Sequence, residues 1–233
     1  MFESRKTQNF GNLDCAYSLA KNGSDKTIVL LHGYGADCWD LFPLKDYLDP
    51  KGQYNWYFPN GILSAEGLPN GRAWFPLDTD AIEAAMREGR HRDMSELKPA
   101  QFPSLVEKLS SMLTAIHAKP ENVILGGFSQ GSMLALETAL ATSFHFAGLV
   151  LLSSALLNKK ELPLRAMEKP GQSFFQSHGV KDVLLPHHGA EALYMLLKKS
   201  GWQGSLHSFE GGHEIPLDII EKCRDYINTR FKT

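Results

Sequence analysis

The chain is short of cysteine, of long apolar runs and of charge blocks of one sign, and each shortage removes a class of function. Among its 233 residues there are three cysteines, Cys15, Cys38 and Cys223, widely spaced and with no C-x-x-C pair. That pattern speaks against a disulfide framework and against a zinc site. The adjacent His187 and His188 suggest no third ligand, so no metal is expected. No apolar stretch approaches the ~20 residues that cross a bilayer, and the opening Met-Phe-Glu-Ser-Arg-Lys-Thr-Gln has no apolar segment of the kind that makes a secretory signal. With 24 basic and 26 acidic residues the formal charge is -2, and no cluster of Lys or Arg marks a nucleic-acid or anionic-membrane footprint. Internal repeats and low-complexity tracts are also missing. These absences leave a reduced, cytoplasmic enzyme acting on a small molecule as the simplest expectation.

What is present is ordinary globular material: 43% hydrophobic and 21% charged residues, enough to fill one large core. No domain boundary is evident, and residues 1–233 read as a single domain. Short aliphatic runs alternate with amphipathic stretches. Residues 13–20, Thr27–Leu31, 55–58, 123–125, 147–152, 173–177 and 205–209 read as strands. Residues 41–48, 79–88, 102–117, 133–141, 190–199 and Leu217–Phe231 read as helices. In 102–117, for example, Leu105, Val106, Leu109, Met112, Leu113 and Ile116 fall on one face at helical spacing. Strands alternating with helices predict an α/β fold with one largely parallel, doubly wound sheet. Residues 61–100 break the pattern. Rich in Gly, Pro, Asn and charge, with Trp74-Phe75 embedded, they read as a lid or a pocket-lining excursion rather than a spacer.

The chain is organised around residues 122–141. An apolar strand ends in glycines, Gly127-Phe128-Ser129-Gln130-Gly131 follows, and a helix built from strong helix formers begins. This is the G-x-S-x-G pattern of a nucleophile elbow in the strand–turn–helix context it requires. Serine takes a strained conformation on a sharp turn, and the flanking glycines let neighbouring backbone approach. The plainer reading is a glycine-rich turn with an N-capping serine.

A serine hydroxyl needs a base within reach, and the base needs an orienting partner. Asp182 follows the strand 173–177 and His213 follows the strand 205–209, giving the chain order Ser, Asp, His. In a parallel sheet, residues just beyond strand ends converge on one edge. Ser129 is therefore the expected nucleophile, His213 its base and Asp182 the orienting acid. The remaining histidines fit other roles. His117 and His145 are assigned to predicted helices, and His91 and the 187–188 pair to surface or cap positions. His178 suits bracing of the aspartate loop by hydrogen bonding. The backbone N–H groups of Gln130, after the nucleophile, and Tyr34, in the loop after the early strand, are the expected oxyanion donors.

Leu31-His-Gly-Tyr-Gly-Ala-Asp37, Arg72-Ala-Trp-Phe75, Gly126-Gly-Phe-Ser-Gln-Gly131, His178-Gly-Val-Lys-Asp182 and Gly212-His-Glu214 together resemble the phospholipase/carboxylesterase family of α/β-hydrolases, which includes the acyl-protein thioesterases. The resemblance implies an α/β-hydrolase fold with a mostly parallel central sheet and helices on both faces. It implies a serine esterase with no cofactor, acting on carboxylic esters or thioesters. It carries the triad onto Ser129, Asp182 and His213 and the oxyanion donors onto Tyr34 and Gln130. It also implies that the segment around Trp74, with Phe75, lines the acyl pocket. Val183 stands where proline usually follows the acid, Ser132 where glycine is common, and residues 76–100 follow no family pattern. The activity expected is hydrolysis of short- to medium-chain acyl esters. An acyl-protein thioesterase or lysophospholipase is the alternative within the same chemistry, and an idle hydrolase fold that binds a lipid or partner is the alternative outside it.

Overall fold

The computed structural model describes residues 6–231. The start of the chain, residues 1–5, on which the reading of a non-secretory N-terminus partly rests, lies outside the described residues, as do residues 232–233.

Among the described residues, ten strands and seven α-helices follow in the order β1 (Gln8–Phe10), β2 (Leu13–Ser18), β3 (Thr27–Leu31), α1 (Leu44–Leu48), β4 (Asn55–Pro59), β5 (Leu63–Ser64), β6 (Arg72–Ala73), α2 (Thr79–Arg87), α3 (Phe102–Ala115), β7 (Val123–Phe128), α4 (Gln130–Ala141), β8 (Gly148–Leu152), α5 (Leu162–Met167), β9 (Ser173–Gly179), α6 (His187–Lys199), β10 (Gln203–Phe209) and α7 (Leu217–Phe231). Eight strands form one sheet in the order β1-β2-β4-β3-β7-β8-β9-β10. β1 and β2 are antiparallel, as are β2 and β4; every pairing from β4 to β10 is parallel. β5 and β6 form a separate two-stranded ladder inside the 61–100 excursion.

β3, β7 and β8 are mostly aliphatic and almost entirely buried because both sheet faces are covered, and the period of two decides which side chain meets which layer. On β3, Ile28 and Leu30 join Ile219, Cys223 and Ile227 of α7 in one core cluster. Val29 and Leu31 join the other cluster, with Leu105 and Leu109 of α3, Leu134 of α4 and Leu193 of α6. α1 packs against α7 on the first face. α4 is apolar nearly all round, with ten of its twelve residues buried. A helix that packs on β7, β8 and α3 together needs that composition.

Chain order reverses across β3. The chain leaves β3 for β4 on one side and later returns to β7 on the other. In open parallel sheets a crevice forms outside the carboxyl ends of the strands at such a point.

Several local differences from the sequence expectation have direct causes. β1, β5, β6 and α5 were not foreseen, being of two to six residues and too short for periodicity to show. α4 begins three residues earlier and α6 three residues earlier than expected. Their first turns carry Gln-Gly-Ser and His-His-Gly, which are weak helix formers fixed here by tertiary contacts. His117 lies beyond the end of α3 at φ 53°, closing the helix in the left-handed region. His145 is on the loop before β8, not in a helix.

Candidate active site

Four strand ends meet at the crevice. Ser129 joins β7 to α4 at φ 52°, ψ -119°, a conformation that non-glycine residues rarely adopt and that marks a strained turn. Its N–H donates to the Leu152 carbonyl at 2.9 Å, and its own carbonyl accepts from Ser132 and Met133 N–H at 3.0 and 3.2 Å. Its side chain makes no capping hydrogen bond to α4, so the plainer reading of an N-cap serine does not describe it. The turn is possible because Gly131 lacks a side chain. A Cβ there would stand 2.1 Å from the Leu31 carbonyl oxygen, so the tight packing of α4 on β3 excludes every other residue.

The loops after β9 and β10 are tied together. Val180 N–H donates to the Phe209 carbonyl and Lys181 N–H to the Gly211 carbonyl, both at 2.9 Å. A Cβ on Gly179 would meet the Gly212 carbonyl oxygen at 2.2 Å, so the two loops touch backbone to backbone. This places His213 Nδ1 2.7 Å from Asp182 Oδ2. The Asp182 carboxylate is fully committed. Oδ1 accepts the Leu184 and Leu185 N–H groups at 2.9 Å, and Oδ2 also lies 3.2 Å from His178 Nε2. His178 donates from the same nitrogen toward the Leu185 carbonyl at 2.8 Å, bracing the aspartate loop. Burial alone would raise the Asp182 pKa. Hydrogen bonds from His178 and His213, the charge of His213 and the Leu185 N–H outweigh it and hold the carboxyl well below its usual range. An ionised Asp182 accepts from His213 Nδ1–H, which fixes the tautomer that leaves Nε2 as an acceptor.

Ser129 and His213 open onto one cavity of about 260 Å³, with the His213 ring 4.7 Å from that of Phe128. Gly33 and Tyr34, beyond β3, line the same cavity, and Leu77, Ile82, Met86, Met94, Met133, Leu184 and Leu185 make its walls apolar. Tyr34 is brought beside the serine by Gly33, where an added Cβ would lie 3.5 Å from Ser129 Cβ. Gln130 heads α4, so its N–H has no carbonyl one turn back to bond.

Trp74 and Phe75 are corrected by the structure. Both are 0% exposed and neither lines the cavity. Trp74 N–H donates to Gln130 Oε1 at 2.8 Å, Gln130 Nε2 donates to the Phe75 carbonyl at 2.7 Å, and Trp74 Nε1 donates to the His32 carbonyl at 2.9 Å. The pair anchors the excursion, and the walls come from residues a turn or more later in sequence. Two contributors escaped the sequence reading. His91, assigned to the surface, reaches the Asp182 carbonyl oxygen from the excursion at 3.1 Å; nothing in its polar sequence context signals that. His32 does carry a signal, since a histidine directly after four consecutive aliphatic strand residues, Ile28 to Leu31, is bound for the interior. His187 contacts Ser208 Oγ at 2.7 Å, and among the described residues no group of three or more His, Cys, Asp or Glu is placed to hold a metal ion.

Comparison with known proteins agrees with this fold. A family model described as Phospholipase/Carboxylesterase matches residues 18–231. Acyl-protein thioesterase 1 of Candida albicans is 27% identical over 234 residues, covering 91% of this chain and 97% of that protein. A putative hydrolase of Bacillus subtilis, MhqD, is 25% identical over 209 residues, covering 88% and 94%. Among solved structures, esterase PE8 superimposes with a TM-score of 0.79 at 27% identity, over 94% of this chain and 99% of the other. A Bacillus cereus carboxylesterase, at 19% identity, 94% and 95% coverage and a TM-score of 0.69, shares the fold. The architecture is the α/β-hydrolase fold, and the chain belongs to the phospholipase/carboxylesterase family of esterase- and thioesterase-type hydrolases.

Proposed function

We propose that the protein is a serine carboxylesterase that hydrolyses short- to medium-chain acyl esters through an acyl-enzyme. The observation that carries this reading is a strained, uncapped Ser129 opening, with an Asp182-oriented His213, onto one apolar cavity. Ser129 Oγ attacks the ester carbonyl carbon while its proton passes to His213 Nε2. The resulting oxyanion is held by the Tyr34 and Gln130 N–H groups. Collapse breaks the bond to the leaving group, which takes the proton from His213. Water then attacks the acyl-enzyme, gives a proton to His213, and releases the acid as that proton returns to Ser129. Asp182 keeps the imidazole oriented and stabilises it while it is charged.

The cavity of about 260 Å³ falls below the ~300–1,000 Å³ of pockets that enclose drug-sized ligands, which favours the shorter acyl chains. Residues 77–94 would act as its cover. A second reading, thioester hydrolysis, is favoured by the relatives named acyl-protein thioesterase, and the same steps serve it with a thiolate leaving group. The three free, buried cysteines suit a reducing cytoplasmic setting.

The test is hydrolysis of p-nitrophenyl esters from acetate to palmitate by the wild type and by Ser129→Ala, beside a palmitoylated peptide. Turnover that peaks at short chains and collapses in the variant is expected. Activity confined to the palmitoylated peptide selects the thioesterase reading. Undiminished activity in Ser129→Ala overturns the nucleophile.

A further inference from the structure

His32 is 1% exposed and lies between two backbone groups. Its Nε2 is 2.9 Å from the Gly61 N–H, and a backbone amide can only donate. Nε2 is therefore the bare nitrogen, and Nδ1 carries the ring proton. The 2.7 Å contact between Nδ1 and the Gly33 carbonyl oxygen is then an N–H donating to that oxygen. Burial lowers the His32 pKa to about 4, against the raising effects of the Gly33 hydrogen bond and Asp37, so the ring is neutral near pH 7 and the tautomer is single.

The Gly33 carbonyl belongs to the same planar peptide unit as the Tyr34 N–H. In a trans peptide the two point in opposite directions, so fixing one fixes the other. Glycine at 33 leaves little steric barrier to rotating this unit. A rotated unit would present its carbonyl oxygen, not its N–H, to the cavity. It would also strand the buried Nδ1–H of His32, and an unpaired buried donor is costly. We propose that His32 is a positioning residue whose imidazole, held between Gly61 N–H and Gly33 C=O, keeps the Tyr34 N–H turned toward the reacting centre at Ser129. Hydrogen bonding at the carbonyl also polarises the peptide and strengthens its N–H as a donor.

The frame extends to the other donor. Trp74 Nε1 donates to the His32 carbonyl, and Trp74 N–H donates to the side chain of Gln130, while the His32 and Trp74 rings stack obliquely at 5.2 Å. His32, Trp74 and Gln130 thus connect the Tyr34 and Gln130 peptides through buried contacts alone. The inference rests on the reading of Ser129 and the two N–H donors given above.

The experiment compares wild type, Ser129→Ala, His32→Leu and His32→Asn on p-nitrophenyl butyrate, with thermal melting of each. Inhibition by an aliphatic trifluoromethyl ketone, whose adduct with serine bears an oxyanion, is measured in parallel. Asn keeps a donor near the Nδ1 position but no acceptor for Gly61; Leu keeps neither. Losing an oxyanion donor typically costs about a hundred- to a thousandfold in kcat, so His32→Leu is expected to lose about a hundredfold in kcat with KM nearly unchanged. Its affinity for the ketone should fall in step. His32→Asn should recover most of both losses although its melting temperature falls like that of His32→Leu. If the two variants are equally impaired, or if activity follows melting temperature or KM, His32 is only structural and the inference fails while Ser129 stands. If Ser129→Ala matches the wild type, the underlying reading fails and the inference falls with it.

Discussion

The loops after β7, β9 and β10 and the excursion of residues 61–100 face the same cavity but are built in opposite ways. Asp182 is buried and accepts from two backbone N–H groups and two imidazoles, while its loop is joined to that of His213 by backbone hydrogen bonds. Ser129 is fixed between β8 and α4. The middle of the excursion, around α2, has few such ties. Ala85 is the single buried residue of α2, and Arg87–Glu83, Arg90–Glu88 and Arg92–Asp78 pair at the surface, where ion pairs are worth at most about 1 kcal/mol. Its first third is bolted to the core through Trp74, and its end is held by buried Met94 and by the Ser95 and Leu97 carbonyls, which accept from the Lys159 and Asn158 N–H groups. Reacting groups need positions held to fractions of an ångström, and strand ends supply them. A wall that selects a substrate tolerates change, and a loosely packed segment supplies that.

Asp182→Asn strikes the rigid side of this contrast hardest. The amide cannot hold the His213 tautomer that leaves Nε2 free, and kcat is expected to fall about 10⁴-fold, measured as butyrate ester hydrolysis with KM little altered. A loss under tenfold would mean that the acid merely packs the loop and that the strand-end region is less committed to chemistry than its geometry suggests.

The strand-end region is also sensitive to acid. His32, anchored beside the strand ends, has its pKa lowered by burial from 6.5 to about 4. The unfolded chain therefore binds a proton more readily than the folded one between those values. Stability from this group is complete above pH 6.5, declines as pH falls toward 4, and is constant below that. The total is roughly 3 kcal/mol. Asp182 works in the same sense but lower, because a depressed carboxyl loses its contribution only below the normal carboxylate pKa. His207, lowered by burial and by Lys222, acts in the same sense, so the comparison needs His32→Asn. The urea midpoint should fall further between pH 7 and pH 4.5 for the wild type than for that variant. Equal slopes would show that His32 is protonated without cost.

The same contrast explains what could be read from the chain. Ser129 follows a strand recognisable by its aliphatic run, Asp182 and His213 follow shorter apolar segments that lead into glycine-containing loops, and the structure brings them to one sheet edge because strand ends in a parallel sheet must share that edge. The almost unbroken aliphatic run of Thr27–Leu31 likewise announces a strand covered on both faces. Trp74 and Phe75 were misplaced for a physical reason: aromatic residues in an irregular polar segment serve a pocket wall and a core anchor equally well, and only the partner decides. That partner, the Gln130 side chain, lies 56 residues away from Trp74. The excursion reads as pocket-lining from the sequence, but its particular wall residues do not stand out, because Leu77, Ile82 and Met86 are spaced as on any amphipathic helix start, with nothing to say that their apolar side meets a cavity rather than a core.

Ile82→Trp sharpens the comparison at its smallest effect. Ile82 lies on α2, half-buried, and lines the cavity opposite the strand ends. A larger ring there fills space an acyl chain would occupy without entering the core. Surface-segment substitutions of this kind usually move stability by no more than about 0.5 kcal/mol. The difference of a methylene or two in an apolar pocket, by contrast, is worth about tenfold or more in kcat/KM. The variant is therefore expected to lose about tenfold on octanoate esters, to keep acetate hydrolysis within about twofold, and to melt with the wild type. If acetate falls as far as octanoate, α2 contributes to the reacting geometry and the division between rigid chemistry and a replaceable wall breaks down. If neither falls, the acyl chain leaves the cavity by another side, between Met94 and Leu185, where a second cavity of about 520 Å³ adjoins the first.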